Sequence, residues 1–279
     1  MNHLFLFDVD SVLVDPRGYL VALQDTVAHF SIEMAVGAHP PTEDEVRTFE
    51  ARGLSSEWDS GAACVAALLL DRLRCDPALS LPADWPGVLA TLSARPCPLP
   101  HPDYAALARE SGQRIRPGVT AAQAARAYLC DRAREATVLG LEDGRVDRLL
   151  GLVLGHTHDF YRAPITRHFQ QLAIGSASVS RTYGVDPDFE CPAYLLQHDR
   201  PLLAAATRAH LRRNATDGNI GIALFTARPS LPPVEVGTDL IGYSPEAEMA
   251  RKLVELGDYP IIGLGKVAWL AGEVNGDTA

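Results

Sequence analysis

Apolar residues fill positions 3–9 almost without interruption and predict a short buried strand, rich in Leu and Phe. From Tyr19 the pattern changes: Leu20, Leu23, Val27, Phe30 and Met34 recur at steps of three and four, the stripe of an amphipathic helix. Helical signals then dominate for most of the chain. Thr42-Glu43-Asp44-Glu45 reads as a capping box, in which the Thr42 side chain and Glu45 satisfy each other's free N–H groups. Asp59 or Ser60 is placed to cap a helix through Leu73, and 120–134 and 146–160 are further helix candidates. Between Cys75 and Pro102 seven prolines predict short turns and extended chain.

A second apolar run, Ile220-Gly221-Ile222-Ala223-Leu224-Phe225-Thr226, predicts another buried strand. A helix over Pro201–Arg213 and the turn Asn214–Asn219 precede it. Ser244-Pro245 opens a helix through Leu256, with proline at the first helical position, and Tyr259–Leu264 reads as a third short strand. Strands at both ends with helices between them predict an α/β core, residues 1–15 plus 199–279, interrupted by a helical cap at 16–198.

Composition narrows the classes. The 279 residues are 47% hydrophobic, enough for a sizeable core, and the net charge of −10 argues against a nucleic-acid-binding surface or an anionic membrane partner. The longest apolar runs, such as Gly61–Leu70, are too short to span a bilayer. The five cysteines (Cys64, Cys75, Cys97, Cys130, Cys191) form no Cys-x-x-Cys pair, and no leader with a cleavage site is seen at the N-terminus. A cytoplasmic protein with reduced thiols is the expectation. The oligomeric state is left open.

Chemistry concentrates where the first strand ends. Asp8 and Asp10 stand two residues apart in Phe5-Leu6-Phe7-Asp8-Val9-Asp10-Ser11-Val12-Leu13-Val14-Asp15, and buried ionised carboxylates are costly without partners. In open α/β sheets ligands bind beyond the carboxyl ends of the strands, which is where both aspartates fall. This stretch resembles the first motif of the haloacid-dehalogenase-like superfamily, Asp-x-Asp-x-Thr/Val after an apolar strand. Ile222–Thr226 followed by Ala227-Arg228-Pro229 is similar to its second motif. The order, with a helical insertion after the first motif, matches the phosphoglycolate-phosphatase-like subgroup.

The resemblance implies a Rossmann-like core, whose three predicted strands leave it incomplete at its C-terminal side beside the family's sheet. It also implies a Mg²⁺-dependent phosphatase acting on a small phosphorylated metabolite. Asp8 would be the nucleophile and a metal ligand. Asp10 would protonate the leaving group, activate water and bind the metal through its main-chain carbonyl. Thr226 would hold a phosphoryl oxygen, and an ordinary strand-terminal threonine is the alternative. Arg228 would meet substrate phosphate or lie at the surface.

The family's lysine has two candidates in the chain, Lys252 and Lys266, and Lys266, after the third strand, has the better address. Its later acidic motif has one partial match, Gly276-Asp277-Thr278. A phosphomutase and a non-catalytic ligand- or protein-binding domain of the same fold are the alternatives. Ser55–Asp59 is a candidate lining for a substrate entrance. His156, His158, Asp159 and His168 invite a metal-site reading, which alternation along a helix opposes because His156 and His158 would point apart.

Overall fold

The computed structural model describes residues 3–135, 143–231 and 243–270. Its strands are β1 (His3–Asp8), β2 (Val14–Asp15), β3 (Arg200–Pro201), β4 (Ile220–Phe225) and β5 (Ile261–Ile262). The first seven helices are α1 (Arg17–Glu33), α2 (Glu43–Ala51), α3 (Glu57–Cys75), α4 (Trp85–Ser93), α5 (Tyr104–Gly112), α6 (Ala121–Glu135) and α7 (Asp143–Leu154). Six more follow: α8 (Pro164–Ile174), α9 (Ser176–Tyr183), α10 (Tyr194–His198), α11 (Ala205–Thr216), α12 (Glu246–Val254) and α13 (Leu264–Leu270). The chain divides into two compact units, Met1–Val21 with Gln170–Thr278, and Ala22–Phe169, the boundaries falling within α1 and α8.

The first unit is mixed α/β. Its parallel sheet has the order β1-β4-β5, and β1 pairs with β4 from His3 opposite Ile220 to Asp8 opposite Phe225. A two-residue antiparallel pair joins β2 to β3, Val14 opposite Pro201. Val9, Leu13, Val14, Ile222, Leu224 and Ile261 bury against Ala247, Ala250 and Val254 of α12, which forms the core on one face of the sheet. The second unit is helical. Its α3 is buried on nearly every side from Ala62 to Leu70, as expected of an apolar helix that neighbours surround, and α5, α6 and α7 pack on it.

Several elements differ from the sequence expectation, each for a local reason. The capping box is present as expected: the Glu45 N–H donates to Thr42 Oγ1 at 3.3 Å, and the Thr42 N–H to Glu45 Oε2 at 2.8 Å. The proline-rich stretch nevertheless contains a helix. Asp84 caps α4 by accepting from the Gly87 N–H at 2.8 Å, and Pro86 sits in the first turn, where no N–H is required. The helix expected from Pro201 starts at Ala205, because Arg200 and Pro201 are taken up in β3. The third strand shrinks to Ile261–Ile262, so Lys266 lies on α13.

The largest difference concerns β1. Read as buried, it leaves Leu4 69%, Phe5 44% and Leu6 56% exposed: among the described residues it is an edge strand paired only with β4, and side chains on both of its faces stay open. Among the described residues no helix is long and apolar enough to cross a membrane, and the five cysteines are free thiols.

Candidate active site

The site is built where β1 and β4 end side by side. After Asp8 the chain folds into a tight turn. The N–H groups of Leu13 and Val14 both donate to the Val9 carbonyl, at 2.8 and 2.9 Å, and the Ser11 N–H donates to the Val14 carbonyl at 2.8 Å. Ser11 is held in the left-handed region, with φ 62°. The turn holds Asp10 beside the end of β4, where the Thr226 hydroxyl donates to Asp10 Oδ2 at 3.0 Å. That hydroxyl in turn accepts the Arg228 N–H at 3.0 Å.

Arg228 crosses beneath Asp10. Its Nε lies 2.9 Å from Asp10 Oδ1 and 3.2 Å from Oδ2, and its Nη2 is 2.6 Å from Oδ1. The same Nη2 makes an ion pair at 2.8 Å with Asp199 Oδ2, and the Arg228 side chain is only 2% exposed. Asp199 Oδ1 accepts the Gly18 N–H at 2.7 Å. The guanidinium carbon stands 4.9 Å from the centre of the Tyr19 ring, a cation–π contact. Tyr19 Oη donates to Glu246 Oε2, and Glu246 Oε1 also accepts from Gln170 Nε2 at 2.6 Å and Ser244 Oγ at 3.1 Å.

Burial dominates the electrostatics of this network. It pushes the Asp199 carboxyl up, against the opposing pull of Arg228 and the Gly18 N–H. Burial also raises Glu246, against the hydrogen bonds from Gln170, Tyr19 and Ser244. For Arg228 burial works against the charge, yet Tyr19, Asp10 and Asp199 outweigh it and hold the guanidinium more firmly protonated than usual.

The sequence-predicted residues therefore divide. Asp8, Asp10, Thr226 and Arg228 are gathered at the ends of β1 and β4. Asp8 is half-buried, and among the described residues no hydrogen bond or ion pair reaches its carboxylate. Arg228 lies neither at the surface nor open toward solvent; its Nη1 has no hydrogen-bond partner among the described residues. Lys266 Nζ donates to the Ile261 carbonyl at 2.9 Å, and the described contacts include none between it and Asp8 or Asp10. Asp277 lies outside the described residues.

No motif or spacing in the sequence marks Asp199, Tyr19 or Glu246 as site residues. Asp199 stands in His-Asp-Arg-Pro without a patterned neighbour, and only its adjacency to β3 marks it. Ser244-Pro245-Glu246 did mark a helix start, but Ser244 Oγ serves the Glu246 carboxylate and caps no backbone N–H.

In the helical unit α7 ends at Leu154, so His156 and His158 occupy a turn and the expected helical alternation does not apply. His158 Nε2 lies 3.2 Å from Oδ2 of the buried Asp59, whose Oδ1 accepts from Thr157 Oγ1 at 2.5 Å. The Asp59 hydrogen bond raises the His158 pKa, with burial opposing it. His168 stacks on His29 with centroids 4.1 Å apart. Among the described residues no group of three or more His, Cys, Asp or Glu side chains is arranged to hold a metal.

No family model matches the chain, and no curated protein matches it. Two solved structures do. The X-ray structure of Northeast Structural Genomics Consortium target ZR25 superposes with a TM-score of 0.62 at 16% identity, covering 98% of this chain and 72% of that one. At this identity the likeness is one of fold. The other is phosphatase Tt82 from Thermococcus thioreducens, at a TM-score of 0.47 and 18% identity, covering 92% of this chain and 71% of that one.

Proposed function

We propose that the chain is a haloacid-dehalogenase-like phosphatase, an α/β core with a helical cap, hydrolysing a small phosphorylated metabolite through an aspartyl-phosphate on Asp8. One observation carries the reading. Thr226 and Asp10, 216 residues apart in the chain, meet at 3.0 Å at the ends of adjacent parallel strands, beside an Asp8 with no described partner.

Asp8 attacks the phosphorus and the ester P–O bond breaks, leaving phosphate on Asp8 and a leaving oxygen that takes a proton from Asp10. Water then attacks the acyl phosphate and gives its proton to Asp10. Among the described residues every hydrogen-bond partner of the Asp10 side chain is a donor, so both of its oxygens act as acceptors. That arrangement suits the water-activating half of the cycle. In the protonated half the Thr226 hydroxyl turns and accepts, which a freely rotating O–H allows.

The donors present suit magnesium. The Asp8 carboxylate and the Asp10 main-chain carbonyl are hard oxygens without hydrogen-bond partners among the described residues, and Mg²⁺ takes few protein ligands beside water and phosphate. When bound, the ion offsets the charge that builds as one anion attacks another. Phosphate release from a panel of small phosphoesters in Mg²⁺ should be readily measured for the wild type and lost in Asp8→Asn. Turnover that survives Asp8→Asn removes the proposed nucleophile. Transfer of the phosphoryl group to a second ester in place of water would mark a mutase.

A second reading, a non-catalytic binding domain of the same fold, is favoured by the full engagement of Asp10 with Arg228 and Thr226. The Lys266 amine, turned to the Ile261 carbonyl, points the same way. Failure of the folded protein to bind beryllofluoride with Mg²⁺ would select it.

A further inference from the structure

We propose that Asp199 is a positioning residue for Asp10, acting through Arg228; the proposal rests on the phosphatase reading for its kinetic consequence and on geometry alone for the positioning itself. The Arg228 Nη2 group is shared by two carboxylates, 2.6 Å from Asp10 Oδ1 and 2.8 Å from Asp199 Oδ2. The two acids are not equivalent. The Asp10 side chain is 30% exposed at the site, whereas that of Asp199 is fully enclosed.

Asp199 is also tethered on its far side, where Oδ1 accepts the main-chain N–H of Gly18 at 2.7 Å in the first turn of α1. Asp199 therefore stands on fixed backbone, and Arg228 is tied to it. Tyr19, the next residue of α1, lies against the guanidinium and fixes its plane. Asp10 meets this rigid plane with two oxygens, which sets the orientation of its carboxylate. The Nε–Nη2 edge of the guanidinium grips Asp10 through hydrogen bonds, and the contact of Nη2 with Asp199 Oδ2 is an ion pair at 2.8 Å, so one cation relates the two acids.

Without Asp199 the guanidinium keeps Asp10 and the Tyr19 ring but loses its enclosed acid. Asp10 keeps the Thr226 hydroxyl but meets a guanidinium able to shift, and small displacements of a proton-transfer group are expensive in rate. A purely architectural Asp199, tying Gly18 to the segment before β3, would leave Arg228 and Asp10 unaffected when only its charge is removed. Asp199→Asn makes this distinction, because the amide oxygen can still accept from Gly18 at unchanged volume.

Two measurements test the proposal. The first needs no activity: exchange with water of the Arg228 Nε–H, assigned in the wild type by its loss in Arg228→Lys and followed by ¹⁵N NMR. It should be slow in the wild type and at least about ten-fold faster in folded Asp199→Asn, as burial and pairing of the guanidinium are loosened. Exchange as fast as that of a surface arginine in the wild type, or unchanged exchange in Asp199→Asn, overturns the positioning role.

The second is kinetic. In Asp199→Asn kcat should fall about ten-fold or more with KM within about two-fold, and the same substitution in an Arg228→Met background should cost nothing further. An equal loss in both backgrounds overturns action through Arg228. A wild type that releases no phosphate while its Arg228 behaves as expected refutes the phosphatase reading and leaves the positioning role standing.

Discussion

A methyl group on Gly18 sets two effects of opposite sign against each other. Gly18 is the second residue of α1, and alanine is favoured over glycine in a helix by up to about 1 kcal/mol. Packing opposes the change. The added Cβ would stand 2.7 Å from Leu195 Cα, 2.9 Å from the Leu195 nitrogen and 2.9 Å from Asp199 Oδ1. Two of these three atoms are backbone of α10, so no rotamer change relieves the clash.

Overpacking of this kind costs about 1–3 kcal/mol. Displacing Asp199 also weakens a hydrogen bond between an N–H and a buried carboxylate, worth about 1.5–3 kcal/mol. The clash therefore wins, and Gly18→Ala should destabilise the protein by about 2–4 kcal/mol. A matched control exists in Gly144, the second residue of α7, where a Cβ meets nothing within 4 Å among the described residues. Gly144→Ala should be neutral or stabilising by up to about 1 kcal/mol. Urea unfolding followed by far-UV circular dichroism compares the two variants. If Gly18→Ala matches the wild type or Gly144→Ala in stability, the close approach of α1 to Leu195 and Asp199 is not as described.

Two further outcomes are expected. Because Asp59 raises His158 above its ordinary value of 6.5, this pair contributes full stability below that pH and loses it as pH rises through the folded value; thermal melts should fall on that side, and His158→Gln should flatten the slope. Equal slopes in the two proteins would remove the pair as the cause. Ser11, exposed and at φ 62°, should tolerate Gly, whereas Ser11→Val should cost about 1–3 kcal/mol in thermal or urea unfolding. Equal stability of the Val and Gly variants would rule out backbone strain there.

What the sequence makes legible here is mostly local. The apolar runs at 3–9 and 220–226 locate two neighbouring strands, and Thr42 with Glu45 announces a helix start that forms as drawn. Asp8 and Asp10 stand out as acids where an apolar strand ends, whereas Thr226 can be named only through the resemblance to the family's second motif. Exposure is a different matter: β1 and β4 look alike as apolar runs, and only pairing makes one an edge and the other the centre. Proline content hides α4, since the rule that proline breaks helices has its exception in the first turn. The burial of Arg228 is the least legible, because arginine is ordinarily a surface residue. Its position depends on Asp199 and Tyr19, which no spacing links to it.

The pairing of β1 with β4 also governs how the protein must acquire its structure. A contact such as Thr226 with Asp10 closes a loop of 216 residues, at an entropic cost of about 5 kcal/mol beyond a constant for a fully flexible chain. Folding Ala22–Phe169 first replaces most of that flexible loop by one body and lowers the cost by about 1 kcal/mol. Amides of α3 should accordingly gain protection before those of β1 and β4 in a pulse-labelling hydrogen-exchange experiment, and the reverse order would contradict this account. Asp10 is made well before the groups that orient it, Asp199, Thr226 and Arg228. A nascent chain therefore holds Asp10 without its guanidinium partner until Arg228 has been made.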